Sequence, residues 1–165
     1  KDTEVALAGG LGEWLTQPKG FLALVILIDQ FSRSVFRGSP RAFDGDARAV
    51  GIVLEALEGK KDETLTHEER QFLLMPLLHS EKLDHQTRSV AEIARHVARC
   101  PAELQPIFGM GVEQSQKYLA IVERFGRFPH RNAVLGREST PEELAFLKEW
   151  DAKKRPAGME AEPAK

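Results

Sequence analysis

The segment that most constrains the fold is one long helical pattern near the start of the chain, from about Lys19 to Arg37. Apolar residues recur there in steps of three and four, the period of one face of an α-helix. Ile26 and Leu27 extend the apolar surface nearly all round the first half, and such a helix is normally buried among other elements. The pattern therefore predicts a central helix against which the rest of the chain packs. Its other apolar positions are Phe21, Leu22, Leu24, Val25, Ile28, Phe31, Val35 and Phe36.

Signals for the start of a helix recur along the rest of the chain, while strand signals are nearly absent. Thr66 and Glu69 have the spacing of a capping box, in which each side chain bonds the other residue's backbone N–H. Thr140 and Glu143 repeat this spacing, with a proline at the first helical position. Both patterns predict a helix that begins directly after the threonine.

Glycine and proline predict where these helices end. Gly59 stands where a left-handed cap belongs, and Gly126 should end a helix that begins near Glu113. Pro76 should kink or stop its helix near Met75, since proline lacks the N–H that a helix interior needs. A separate short helix is expected over residues 101–108, and the hinge-like residues that follow it are Gly109 and Gly111.

Helices joined by short loops predict an all-α protein of antiparallel helix pairs in a right-handed array. We expect a single domain over residues 1–152 and a flexible tail over residues 153–165, because the tail is rich in proline and small residues. The chain opens without a methionine, so a native N-terminal segment is expected to be missing. The residues predicted to be buried are Leu22, Val25, Ile28, Phe72, Val90, Ile93, Leu119 and Val122.

Charge and cysteine content exclude several classes of function. The formal net charge of −2 argues against a nucleic-acid binder, because counterion-release binding needs a basic surface. No apolar run approaches the roughly 20 residues that span a membrane. The single cysteine, Cys100, excludes an intramolecular disulfide and a cage of several thiolates, which favours a reducing, cytoplasmic setting.

The candidate site begins with a basic block over residues 124–136. This block holds Arg124, Arg127, His130 and Arg131 without an acid in the eight residues they span. Guanidinium groups grip carboxylates and phosphates with two parallel hydrogen bonds. The block therefore predicts an anion-binding role, and the alternative is that its arginines fasten the loop to acids and helix ends.

A second candidate comes directly out of the apolar helix. Asp29, Arg33 and Arg37 are four residues apart and should lie one above another on one helical face. A buried aspartate persists only when it is paired, so Asp29 and Arg33 should form an ion pair that either stabilises the core or faces a cleft. A third cluster holds His79 and Glu81, and we expect all three clusters to meet in space.

Metal binding is not expected from these clusters. His79 and Glu81 are two residues apart and would point to opposite sides of a helix, while His85 lies four residues from Glu81, which is more typical of a surface pair. His96 lies four residues before Cys100, but nothing in the sequence orients it as a base for a nucleophilic thiol. The sequence therefore predicts neither a metal nor any other cofactor.

Several longer motifs stand out along the chain, and they are Val25-Ile-Leu-Ile-Asp-Gln-Phe-x-Arg33, Arg37-Gly, Leu78-His-Ser-Glu81, Gln86 and the long segment from Phe125 to Leu144. Together they give the chain a resemblance to a bacterial domain-of-unknown-function family, number 924. It implies an all-helical, tetratricopeptide-like fold and no established activity. Two departures are visible: Ser34 stands where the family pattern usually has Asn, and a Trp/Phe-containing N-terminal segment is absent.

Three functions remain open from the sequence. The first is a binding module with a basic, histidine-containing cleft for a small anionic molecule or an acidic peptide. The second is a metal-independent hydrolase or lyase that uses His79 or His130 as acid or base, with Glu81 as a further candidate. The third is a scaffold that binds another protein. The predicted ligand-binding residues are Asp29, Gln30, Arg33, Arg37, Arg127, His130, Arg131 and Asn132.

Overall fold

A computed structural model describes residues 1–17 and 19–154, and for residues 153 and 154 it describes the backbone only. Among these residues none lies in a β-strand, which confirms the all-α prediction. The predicted tail, residues 153–165, lies outside the described residues apart from its first two, which end the last helix. The helices are α1 (Asp2–Leu7), α2 (Gly20–Ile26), α3 (Ser32–Val35), α4 (Asp46–Glu58), α5 (His67–His79), α6 (Leu83–Arg99), α7 (Gln105–Phe125) and α8 (Pro141–Lys154).

The chain divides into two compact units, Lys1–Arg127 and a second that begins at Phe128. The first unit contains α1 to α7, and the second contains a short 3₁₀ turn, Pro129–Arg131, followed by α8. The single domain expected over residues 1–152 and the tetratricopeptide-like arrangement both stay predictions. No described helix has the length and apolar character needed to cross a lipid bilayer.

The core of the first unit lies between α2, α4 and α5, as the apolar pattern of the first long helix predicts. Leu24, Val25 and Ile28 are almost completely buried there, with Val53 from α4 and Leu73 from α5. Instead of one regular helix over Lys19–Arg37, the chain forms α2, a π-helical turn over Leu27–Phe31, and α3. The π turn changes which side chains after Ile28 point inward.

Both capping boxes form. Thr66 Oγ1 accepts from the Glu69 backbone N–H, and Glu69 bonds back to the Thr66 N–H at the start of α5. Thr140 and Glu143 do the same at the start of α8. Gly126 has φ of +68°, so it ends α7 in the left-handed conformation that glycine adopts readily.

Other predicted helix boundaries are wrong. Helix α5 continues through Pro76 to His79, so the predicted stop near Met75 is wrong, while the alternative of a kink at Pro76 stays a prediction. Gly109 and Gly111 lie inside α7, not at a hinge. Gly59 has φ of −79°, and the left-handed position falls on Lys60 instead.

The list of residues predicted to be buried is partly wrong as well. Leu22, Val25, Ile28 and Val122 are buried, but Val90, Ile93 and Leu119 are half-buried and Phe72 is 44% exposed. Helix α6 packs against both α5 and α7, so its buried face is set by two neighbours and not by one apolar stripe. The buried residues of α6 are all polar or charged, and they are Gln86, Ser89, Glu92 and His96.

Candidate functional site

A buried carboxylate and a histidine meet in the first unit. The two carboxylate oxygens of Asp29 lie 2.9 and 3.0 Å from Nδ1 of His79. The Asp29 side chain is 1% exposed and the His79 side chain 17% exposed. The sequence predicts that these two clusters come together, and the pair is within direct hydrogen-bonding distance.

The π turn puts Asp29 in this position. A π turn has a wider backbone ring than an α-helix, and such turns occur often at functional sites. Here Ile28 and Asp29 are both buried, while Phe31 is 53% exposed. An aspartate that follows an apolar helix is therefore held inside the protein, where it needs a partner.

Arg33 bridges Asp29 to the beginning of α4. Its Nη1 lies 3.4 Å from Asp29 Oδ1, as the four-residue spacing predicts. Its stronger contacts are with Asp46, where Nη1 donates to Oδ1 at 2.8 Å and Nη2 donates to Oδ2 at 3.1 Å. Two parallel bonds to one carboxylate occupy the fork of the guanidinium, so Arg33 is committed to a protein partner.

Gly45 makes this bridge possible. A Cβ atom at Gly45 would lie 2.3 Å from the carbonyl oxygen of Ile28, which is closer than atoms can approach. The start of α4 therefore touches the backbone of the π turn, and the next residue is Asp46. The close approach brings that carboxylate to Arg33.

The surroundings keep Asp29 ionised. Burial by itself raises the pKa of this carboxyl, but the hydrogen bond and charge of His79, the charge of Arg33 and the amide of Gln30 outweigh it. The net effect lowers the pKa of Asp29 below its usual value, so the group is a carboxylate at neutral pH. The Gln30 amide nitrogen donates to Asp29 Oδ2.

This geometry fixes how the imidazole can react. A neutral histidine that donates its Nδ1–H to a carboxylate has its lone pair on Nε2, and it is held in one orientation. The carboxylate also stabilises the imidazolium that forms when Nε2 takes up a proton. The pair Asp29–His79 therefore has the arrangement of an oriented general acid–base.

Three other predicted site residues of this unit lie outside its regular helices. Arg37 follows the end of α3 and is exposed, so the predicted stack of three residues on one helical face ends at Arg33. Glu81 lies just after α5 and Arg127 just after Gly126, and both are half-buried. Ligand binding by Arg37 and Arg127 and a catalytic role for Glu81 stay predictions.

The rest of the basic block belongs to the second unit. The guanidinium carbon of Arg131 lies 4.7 Å above the ring of Phe128, and Arg131 is 7% exposed. The ring of His130 stacks on Trp150 with centroids 5.1 Å apart and planes 6° from parallel. Asn132 is 1% exposed, and its amide donates to Ser139 at 2.9 Å and to Glu143 at 3.2 Å. The fastening role and the anion-binding role of the arginines in this block both stay predictions.

A contact between a serine and a histidine lies just before α6 and in its first turn. Ser80 Oγ lies 2.8 Å from Nδ1 of His85, and Asp84 is 4.0 Å from Nε2 of that ring. Asp84 is 79% exposed, and Ser80 Oγ also accepts from the Lys82 backbone N–H. Such contacts stabilise the turn between α5 and α6, and they give His85 a role different from that of His79.

The sequence does not reveal two features of the first unit. Asp46 lies 13 residues from Arg33, and no local spacing relates them. Arg70 is 6% exposed and pairs with Asp62 and Glu92 beside a charged cavity of about 150 Å³. A capping box and an apolar pattern identify α5 but carry no information about which distant acids an arginine will reach.

The sequence and structure are similar to proteins without an assigned function. A family model described as bacterial protein of unknown function (DUF924) matches residues 1–151. A solved structure of a protein of unknown function, ATU0120 from Agrobacterium tumefaciens, is 34% identical with a TM-score of 0.76, over 90% of this chain and 78% of that one. No curated protein matches. The chain belongs to the DUF924 family of bacterial proteins.

Proposed function

We propose that this protein is an enzyme, a hydrolase or lyase, in which His79 is the general acid–base and Asp29 orients its ring. The observation that carries the proposal is the contact of both Asp29 carboxylate oxygens with His79 Nδ1, at 2.9 and 3.0 Å. A buried carboxylate in this position fixes the tautomer and supports the charge that develops during proton transfer. General acid–base catalysis by such a group contributes about 10²- to 10⁴-fold in rate.

The support around Asp29 favours catalysis because a catalytic group must be held in place before substrate arrives. Asp29 receives hydrogen bonds from His79 and Gln30, and Arg33 ties it to Asp46. These residues lie on the π turn, α3, the start of α4 and the end of α5. The side chain of His79 itself is 17% exposed, so it is not fully buried.

The proposal assigns an anionic group of the substrate to a cation outside the pair. Arg33 is bonded to Asp46, so we assign this role to Arg37, which is exposed, permanently charged and four residues further along the chain. A hydrolase would use His79 to remove a proton from attacking water. A lyase would use it to remove a proton next to a substrate carboxylate.

Turnover of a defined set of compounds tests the proposal. The set comprises phosphate monoesters, carboxylic esters and small hydroxy-carboxylates, assayed with the purified chain and with His79→Gln. The matched control is His85→Gln, because His85 is also half-buried near α5 and contacts Ser80. We expect His79→Gln to lower kcat about 10²- to 10⁴-fold on the substrate that is turned over, with His85→Gln near the wild type.

Two outcomes contradict the proposal. Equal turnover by the wild type and His79→Gln would remove His79 from the chemistry. Binding of phosphate or malonate by calorimetry, with no compound turned over, would instead favour the anion-binding module predicted from the sequence. An Arg37→Gln variant distinguishes substrate binding from chemistry, since loss of a residue that binds substrate raises KM more than it lowers kcat.

A further inference from the structure

Three side chains that ligate metals converge away from the Asp29–His79 pair. His67 is the first residue of α5, His96 lies in the last turn of α6, and Cys100 follows the end of α6. Cys100 Sγ lies 3.4 Å from Nδ1 of His67 and 3.9 Å from Nε2 of His96. The three ligand atoms all lie within 4.8 Å of one another.

Two of these separations are close to those of a tetrahedral metal site. With a Zn–S bond of about 2.3 Å and a Zn–N bond of about 2.0–2.1 Å, tetrahedral angles place sulfur and nitrogen about 3.6 Å apart and the two nitrogens about 3.3 Å apart. The two observed sulfur–nitrogen distances lie on either side of the first value. The two imidazole nitrogens lie within 4.8 Å of each other, so binding of a metal ion draws the two rings together by up to about 1.5 Å.

We propose that His67, His96 and Cys100 form a metal site that binds Zn²⁺. One thiolate and two imidazoles form a donor set that suits zinc among the common divalent ions. Three protein ligands leave the fourth tetrahedral position to water, which is the pattern of zinc sites with an open coordination position. The site is independent of the function proposed for His79.

The surrounding helices hold these ligands in place. The capping box of Thr66 fixes the backbone at the start of α5, one residue before His67. His96 is 2% exposed and its ring packs edge-on against Phe108, with centroids 5.1 Å apart. His67 is half-buried, so the cluster is reached from the surface on its side.

The protonation states also suit a metal. Burial, the charge of Arg70 and the neighbouring His67 lower the pKa of His96 to about 4, so its imidazole is neutral at pH 7, as a ligand must be. Burial and the charge of Glu68 raise the pKa of Cys100, which is therefore a thiol without metal. On binding, the S–H bond breaks, the Sγ–Zn bond forms, and the proton is released to solvent.

The charge of the nearby arginine is balanced. Arg70 lies in ion pairs with Asp62 at 2.8 Å and with Glu92 at 3.4 Å, so it adds little net repulsion against a divalent cation. Nδ1 of His96 has no hydrogen-bond partner among the described residues. Outer-sphere bonds to ligating histidines are worth about 10- to 100-fold in affinity, so we expect weaker binding than at a fully supported structural site.

The proposal departs from the sequence-based expectation of no metal. That expectation considered spacing within one helix, whereas His67 and Cys100 are 33 residues apart and meet only because α5 and α6 pack together. Local spacing reveals only part of the site, because Cys100 follows the end of α6 four residues after His96.

The test uses the full chain without a histidine tag. The protein is treated with chelator, loaded with Zn²⁺, passed through gel filtration and analysed for metal, and it is titrated in parallel with Co²⁺. We expect one zinc ion per chain, a rise in Tm on zinc addition, and the thiolate-to-cobalt charge-transfer absorption of a four-coordinate site. Cys100→Ser and His67→Gln should lose the absorption and the rise in Tm, while the control His85→Gln keeps both.

Either of two results overturns the proposal. The first is that the wild-type chain shows no thiolate–cobalt absorption, and the second is that Cys100→Ser shows the same absorption as the wild type. Circular dichroism of each variant checks that the helices are intact. Should Cys100→Ser fail to fold, His67→Gln decides alone, because His67 is half-buried and its replacement leaves the thiol in place.

Discussion

Replacement of Arg70 by methionine removes the central cation of a buried ion cluster in the first unit. Nε of Arg70 lies 2.8 Å from Asp62 Oδ2, and Nη2 lies 3.4 Å from Glu92 Oε2. The side chains of the three residues are 7%, 6% and 1% exposed, so neither carboxylate is solvated in compensation. Methionine has a comparable length but cannot donate a hydrogen bond or carry charge.

The magnitude follows from which acid loses its partner. Glu92 retains Arg88 at 2.8 Å and Arg95 at 2.6 Å, whereas Asp62 loses the one ion-pair partner it has among the described residues. Leaving one buried charge without its partner costs about 3–5 kcal/mol. Because proteins of this size have a total stability of about 5–15 kcal/mol, Arg70→Met should lower the free energy of unfolding by about a fifth or more.

Urea denaturation followed by circular dichroism measures this loss, with the slope of the transition checked for constancy. The control is Arg88→Met, since Arg88 also contacts Glu92 but is 48% exposed, and its loss should cost about 1 kcal/mol or less. In the double variant Arg70→Met/Asp62→Asn most of the stability should return. Equal effects of Arg70→Met and Arg88→Met, or no recovery in the double variant, would refute the reasoning.

Three further outcomes follow from the structure. The pKa of His96 is lowered from its usual 6.5 to about 4 in the folded protein, so the unfolded state takes up the proton first as the pH falls. The free energy of unfolding should therefore fall by about 3 kcal/mol between pH 6.5 and pH 4. His96→Gln should flatten this pH profile. Gly45→Ala should lower Tm, because the added Cβ meets the Ile28 carbonyl oxygen. Nitrogen-15 NMR of neutral His79 should show the tautomer protonated on Nδ1, and Asp29→Asn should reduce its population.

Local patterns in the sequence predict the fold class and several helix ends correctly. The capping boxes at Thr66 and Thr140 form as predicted, because both depend on residues three apart. Pro76 does not end α5, because tertiary packing supports the helix beyond it, where Leu77 is completely buried. The burial of Phe72 was misread because the face a helix buries is decided by its neighbours.

The candidate site was predictable only in part. A charged residue such as Asp29 at the end of an apolar run must find a partner, and this reasoning pointed correctly to the cluster at His79. The π turn that orients Asp29 has no local sequence signal that we recognise. The bond from Arg33 to Asp46 and the convergence of His67 on Cys100 arise from the packing of separate helices.

The most direct test of the acid–base role is the rate at which diethyl pyrocarbonate modifies His79, followed by peptide mass spectrometry. The unprotonated ring nitrogen attacks a carbonyl carbon of this reagent and displaces ethyl carbonate, so the rate reports the nucleophilicity of Nε2 without a known substrate. We predict that at neutral pH His79 reacts faster than His85 in the same sample. Asp29→Asn should slow His79 about tenfold or more while leaving His85 unchanged, because loss of the carboxylate removes both orientation and charge support. An unchanged rate at His79 in Asp29→Asn would contradict the account.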